Sequence, residues 1–330
     1  MKYVTLGVAA ALAIGMSFSA QAQQHAIYTG SQKGAYNSTF CPPLPEVLGK
    51  AQFRGYRCTP SAGTTENIKK VLANPTDIGF VQLDVYAKEA ATNPEINKKL
   101  IVVRNLACEG LWIVTKNDRI KDYSDIFALA RRLPFRLPGE QSGPAATFAY
   151  LQSLDPKGIG LIQKSNIQYD RDVGAMLERV AHSTSGDVGM FVQFADPENG
   201  NIKKMLELGL TPIGVISRDV LNAKVDSKEV YQLQEFQLAN GWFTGKAVTT
   251  TCTPTAIITG NPAAMTNEND KANQTDMVTE LRNVPEDALL PHDSRLVKLM
   301  KSIKSISGKA LEETLAAADV AKKKALELAQ

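Results

Sequence analysis

The chain of 330 residues is 44% hydrophobic and 22% charged, the balance of a globular protein long enough for two compact units, not of a disordered one. Lys and Arg number 37 against 34 Asp and Glu, a formal charge of +3. This near-neutral balance excludes the dense cationic face with which a duplex nucleic-acid binder neutralises phosphates, and three histidines and four cysteines leave little material for a metal site.

Lys2, the apolar run from Val4 to Met16 and the small-x-small triplet Ala20-Gln21-Ala22 have the plan of a secretory signal peptide, residues 1–22, cut after Ala22. The apolar run is too short to span a bilayer comfortably, and no later stretch approaches about 18 uninterrupted apolar residues. Export places the cysteines in an oxidising compartment, where disulfides persist. Four cysteines allow three pairings, and sequence alone leaves the choice open. Cys41 and Cys58 flank a loop-rich segment containing Pro42, Pro43 and Pro45, so a local bridge is expected there. That leaves Cys108 with Cys252, each opening a β-prone segment, 111–114 and 256–259, that can be neighbours in one sheet.

Along the chain, a short strand over 26–28 precedes a glycine-containing loop. Ile68, Val71 and Leu72 have the i, i+3, i+4 spacing of a helix, followed by a buried strand over 78–81. Residues 101–106 and 111–115 are β-prone runs, 125–132 a short helix and 145–154 another. Val173, Met176, Leu177 and Val180 repeat the helical spacing before a strand from Val188, and 213–216 is a further strand. Leu296, Leu299, Met300 and Ile303 make one apolar helical face, and residues 309–330 a last helix with a solvated lysine-rich face. This alternation predicts an α/β fold.

A faint repeat is present. Asp77-Ile78-Gly79-Phe80-Val81-Gln82 resembles Asp187-Val188-Gly189-Met190-Phe191-Val192-Gln193, and Gly30-Ser31-Gln32-Lys33-Gly34 echoes Gly139-Glu140-Gln141-Ser142-Gly143. The two matches occur in the same order at nearly the same offset, which points to two lobes built alike.

Two loops carry the functional signal. In residues 137–145 a loop leads into a helix, with Pro144 suited to a first helical position and Ser142 or Gly143 to the cap. Such a start favours a carboxylate or phosphate through its free N–H groups, although the same residues also serve a plain helix cap. Ser61-Ala62-Gly63-Thr64-Thr65-Glu66-Asn67 offers a second helix start, where Ser61 and Thr64 can bond a ligand or their own helix. The loop from Gly30 to Tyr36 is neither a Walker loop nor the dinucleotide fingerprint. Gln82 and Asp84 follow a strand, where open α/β sheets present binding residues. No GxSxG or HExxH motif occurs. His25, His182 and His292 read as surface or capping residues, and Trp112 and Trp242 as core, with Trp242 also suited to lining a cleft. No catalytic residue, metal or cofactor is expected.

The order of Gly34-Ala35-Tyr36, Ser61 to Asn67, Asp77-Ile78-Gly79-Phe80-Val81-Gln82-Leu83-Asp84, Leu111-Trp112-Ile113-Val114 and Gly139 to Gly143 resembles the TAXI-type solute receptors of TRAP transporters, periplasmic binding proteins with the type II fold. The resemblance implies a two-lobed α/β molecule, each lobe a mixed sheet flanked by helices, with the ligand cleft between them. Lobe I is then 23–117 with 249–330, and lobe II 118–248. It implies a monomeric periplasmic protein, not an enzyme, that closes on a small organic anion, a carboxylate or amino acid, and serves the permease subunits of a membrane transporter. Ligand contacts are expected from Gly30, Ser31, Gln32, Gly34 and Tyr36, from Ser61, Gly63 and Thr64, from Gln82 and Asp84, and from Ser142, Gly143 and Ala145, with Gln193 a further neutral partner. Two alternatives are a ligand-sensing protein for a signalling partner and a periplasmic enzyme using Asp84 or His182. The chain departs from the family after the glycine–tyrosine loop, where residues 37–45 intervene and proline lets a helix begin only near Pro43 or Pro45.

Overall fold

The computed structural model describes residues 24–196, 198–238, 247–290 and 295–328; the segment 1–22 expected to be a signal peptide, Trp242 and His292 lie outside the described residues. The strands are β1 (His25–Tyr28), β2 (Tyr56–Thr59), β3 (Ile78–Gln82), β4 (Leu100–Thr115), β5 (Phe135–Pro138), β6 (Ile167–Asp170), β7 (Val188–Gln193), β8 (Thr211–Gly214), β9 (Lys224–Val225), β10 (Lys228–Glu229), β11 (Gln232–Gln237), β12 (Ala247–Gly260) and β13 (Lys304–Ser305). The helices of the first half are α1 (Pro43–Lys50), α2 (Thr64–Ala73), α3 (Leu83–Thr92), α4 (Glu95–Lys99), α5 (Asp125–Leu129) and α6 (Gly143–Leu154). Those that follow are α7 (Val173–Ala181), α8 (Gly200–Glu207), α9 (Arg218–Leu221), α10 (Glu268–Asn283), α11 (Glu286–Leu289), α12 (Arg295–Ser302) and α13 (Gly308–Leu328).

One strand order is built twice. In the first set the order is β2-β1-β3-β12-β4, with β1 parallel to β2 and β3, and β12 antiparallel to β3 and β4. In the second it is β6-β5-β7-β4-β8, with β5 parallel to β6 and β7, and β4 antiparallel to β7 and β8. The echoed sequence segments are thus the third strands, β3 and β7, and the loops after the first strands, β1 and β5.

Physical chemistry explains why these residues recur. A Cβ on Gly79 would lie 3.2 Å from Val71 and 3.3 Å from Asn67 of α2, and one on Gly189 3.0 Å from Met176 and Val180 of α7. Each glycine lets a helix lie close on its strand. Asp77 accepts from the Ala26 N–H (2.9 Å) and the Tyr28 hydroxyl (3.0 Å), and Asp187 accepts from Arg136. Each aspartate therefore ties its third strand to the first strand of the same set. Both third strands are buried on both faces, which accounts for their continuous apolar character.

Two elements differ from the sequence reading. The β-prone runs 101–106 and 111–115 form one strand, β4, of 16 residues. Its first part pairs with the end of β12 beside β3, and Gly110–Thr115 pairs with β7 and β8, so β4 passes from one set to the other at Cys108–Gly110. After the glycine–tyrosine loop, Tyr36–Phe40 forms one wide helical turn, and α1 starts at Pro43 as the prolines require.

The bridges are Cys41–Cys58 and Cys108–Cys252, which selects one of the three pairings. The second joins β4 to β12 where β4 changes partners.

The last helix, α13, makes ion pairs with residues of the segment 118–248. Arg218 pairs with Glu312 and Asp319 of α13, both at 2.9 Å, and Lys322 bridges Asp155 (2.6 Å) and Asp219 (2.7 Å). These contacts attach α13 to the segment 118–248. Among the described residues, no helix is long and apolar enough to cross a membrane.

Candidate functional site

The parallel pairs β1/β3 and β5/β7 both end at one cavity of about 840 Å³, a size suited to a small ligand. Its walls include Gly30, Ser31, Gly34 and Tyr36 after β1, Gly63 and Thr64 at the start of α2, and Gln82 at the end of β3. From the other set come Ser142, Gly143 and Ala145 after β5, and Gln193 at the end of β7. The loops expected to hold a ligand therefore meet across one cleft.

Three expected contacts lie elsewhere. Gln32 is exposed, and its carbonyl accepts from Asn37 (3.0 Å). The Ser61 hydroxyl donates to Asn67 (2.6 Å), which itself bonds the carbonyls of Thr29 (2.9 Å) and Phe80 (2.7 Å) and so fastens α2 to the strand ends. Asp84 is fully buried behind the cavity wall, where it accepts from Thr147 (2.7 Å), Tyr231 (3.3 Å) and the Val85 N–H (2.7 Å). Burial pushes its carboxyl up, and the hydroxyl donors oppose that rise. The polar residue after β3 thus clamps α3 to α6 rather than facing a solute.

The two helix starts also differ from each other. Ser142 caps α6 by accepting the Ala145 N–H (3.2 Å), and its hydroxyl donates to the Pro138 carbonyl. Pro144 has no N–H, so the first turn of α6 keeps only the Gly143 N–H for a ligand. At α2, Thr64 accepts the Gln82 N–H (3.0 Å), while the N–H groups of Thr64 and Thr65 have no acceptor among the described residues. The anion-friendly start is therefore α2 more than α6. Gly143 is also a point of close approach, since a Cβ there would lie 2.3 Å from Gln82 Oε1.

Sequence reasoning missed Glu109, which lines the cavity from the middle of β4. It accepts from Gln82 Nε2 and Thr255 Oγ1, both at 3.1 Å, and from the Tyr36 hydroxyl. Burial pushes its carboxyl up to about 7 against these hydrogen bonds. The signal was present in the sequence as one charge, between Cys108 and Gly110, interrupting two apolar β-prone runs. Gln193 accepts from Asn201 (3.3 Å), which leaves its amide N–H groups without a partner among the described residues. Lys69, Lys88 and Lys164 also line the cavity, Lys88 paired with Glu89 at 3.5 Å.

His25 lies in β1 stacked on Tyr56, and His182 ends α7 in solvent. Neither lines the cavity, and Trp112 is core against Phe236. Among the described residues no cluster of His, Cys, Asp and Glu has the arrangement of a metal site.

No protein-family model matches the chain, and no curated protein matches it. Among solved structures, a TctC solute-binding protein from Polaromonas is similar at 11% identity and a TM-score of 0.50, with 92% of this chain and 96% of that one covered. This chain has the periplasmic-binding-protein fold. Rpa4515 from R. palustris, solved with adipate, is similar at 14% identity and a TM-score of 0.46, over 92% of this chain and 98% of that one.

Proposed function

We propose that this protein is the solute-binding subunit of a membrane transporter, exported through a cleaved signal peptide and working in the periplasm. The observation that carries the reading is the cavity at the ends of two pairs of parallel strands, one pair from each of two sets of the same order. In open α/β sheets, ligands bind outside such carboxyl ends. The sets are joined by two long strands, β4 and β12, and such a connection suits rigid lobes that close about a hinge. The lobes divide near Cys108–Gly110 and Cys252–Pro254, and α13 belongs with the second. The motif order from Gly34-Ala35-Tyr36 to Gly139–Gly143 favours a TAXI-type receptor and a TRAP-type permease as partner.

Function here is closure without chemistry: a solute that binds the closed form better than the open one shifts the population towards it. The solute is a small organic acid or amino acid. Its carboxylate meets the free N–H groups of Thr64, Thr65 and Gly143 and the amide of Gln193. Asp84–Thr147 and the approach of Gln82 to Gly143 cross the cleft and belong to the closed form.

A thermal-shift screen of organic acids and amino acids tests this. A solute at 100 times its Kd adds about 2.7 kcal/mol to stability, a visible rise in Tm. Gly143→Val, whose side chain meets Gln82, is expected to remove the Tm rise that the solute gives, read against the variant's own Tm without solute. Flat melting curves across the whole screen contradict the proposal.

A further inference from the structure

The charged residues lining the cavity include Glu66, Lys69, Lys88, Glu140 and Lys164, all half-buried or exposed; Glu109 alone is buried, with 7% exposure. Its three partners, Gln82, Thr255 and Tyr36, are neutral hydrogen-bond donors, and no Lys, Arg or His among the described residues forms an ion pair with it. The titratable groups around it add no positive charge. Tyr36, from the turn after β1, is itself held neutral by burial, and Asp84 on α3 adds to the negative field behind the wall. A buried carboxylate without a cation is costly, and the cost is relieved either by a proton or by a cation that arrives.

The cavity provides the route for that arrival. Glu109 faces it, and so does Gln82, whose Nε2 is engaged by Glu109 and whose Oε1 accepts no hydrogen bond among the described residues. Two acceptors thus lie at the crossing of β4, while the unpaired N–H groups of Thr64 and Thr65 supply donors on another wall. We propose that Glu109 and Gln82 receive an ammonium group of the solute, so that the site selects amino acids or cationic amines over acids that lack nitrogen. This rests on the solute-receptor reading and deepens it.

Isothermal titration of the purified protein with two matched sets tests the proposal. One set holds the common L-amino acids and linear diamines, the other the corresponding 2-oxo acids and linear dicarboxylates. Binding is expected from the first set, with the matched nitrogen-free compounds about a hundredfold weaker. Because Glu109 must be ionised to pair, amine affinity rises about tenfold between pH 6 and pH 8. Glu109→Gln is expected to weaken the amine about a hundredfold at pH 8 and to remove this pH dependence. Its Tm without solute shows that the variant is folded, and the wild-type pH profile stands as a readout independent of it. Nitrogen-free acids that bind as tightly as their amine counterparts, or a folded Glu109→Gln variant that keeps its affinity, overturn the amine site and leave the receptor reading standing. Silence from both sets overturns the receptor reading, and the amine site with it.

Discussion

Removing the Cys108–Cys252 bridge is expected to cost more stability than removing Cys41–Cys58, although both join segments already packed together. The bridges close segments of 144 and 17 residues respectively. Cross-linking removes chain entropy from the unfolded state in proportion to the logarithm of the loop, which gives about 5 kcal/mol for the long closure and about 3 kcal/mol for the short one. The two loops do not overlap in sequence, so the losses are separable. Against a typical total stability of about 5–15 kcal/mol, the first is a large fraction. Replacing both cysteines of a bridge by serine avoids stray thiols. Urea unfolding of the two double variants, followed by circular dichroism, gives each loss directly, and the m-value is expected to rise most where the longer constraint is lost. A variant lacking 108–252 that is as stable as one lacking 41–58, or more so, contradicts this expectation.

Three further outcomes follow from buried polar groups. In the folded, solute-free protein burial keeps Glu109 protonated up to about pH 7, whereas unfolded it ionises near about 4.3. Its contribution to stability is therefore complete below that lower value and is lost as pH rises through about 7. Wild type is expected to lose on the order of 3 kcal/mol relative to Glu109→Gln between pH 4 and pH 8; parallel urea-midpoint profiles for the two proteins contradict this. Asn67→Ala strips hydrogen bonds from the buried carbonyls of Thr29 and Phe80 and is expected to cost about 2–4 kcal/mol by urea unfolding. A loss below about 0.5 kcal/mol contradicts it. Lys322→Ala leaves the buried Asp155 carboxylate without its cation and is expected to cost about 3 kcal/mol, with faster proteolysis of α13. A helix that stays protected in the variant speaks against the anchoring role of Lys322.

The repeated architecture was legible in the sequence because each third strand keeps the same demands. Asp77 and Asp187 each tie down a first strand, and Gly79 and Gly189 each admit a helix. Those requirements are local, so they leave the same letters in both halves. The continuity of β4 was not legible, because Asn105–Gly110 runs through the exchange between sets, where the surroundings of each face change and no regular alternation persists. Glu109 stands in that stretch as a lone charge between Cys108 and Gly110, with no periodicity to show which way it faces. Asp84 was visible as a polar residue after a strand, but its direction, towards Thr147 and Tyr231, depends on how α3 packs against α6. The attachment of α13 depends on ion pairs with residues about a hundred positions earlier, such as Arg218 with Asp319, and an amphipathic lysine-rich helix alone carries no sign of which lobe it joins.

The cavity between the two strand sets is proposed to hold a small solute. Native mass spectrometry of the protein as purified, before and after incubation with amino acids and organic acids, tests it most directly. One bound small molecule per chain is expected, released on collisional activation and lost from Gly143→Val at matched concentration. A bare chain under every condition, or binding that Gly143→Val leaves untouched, contradicts it.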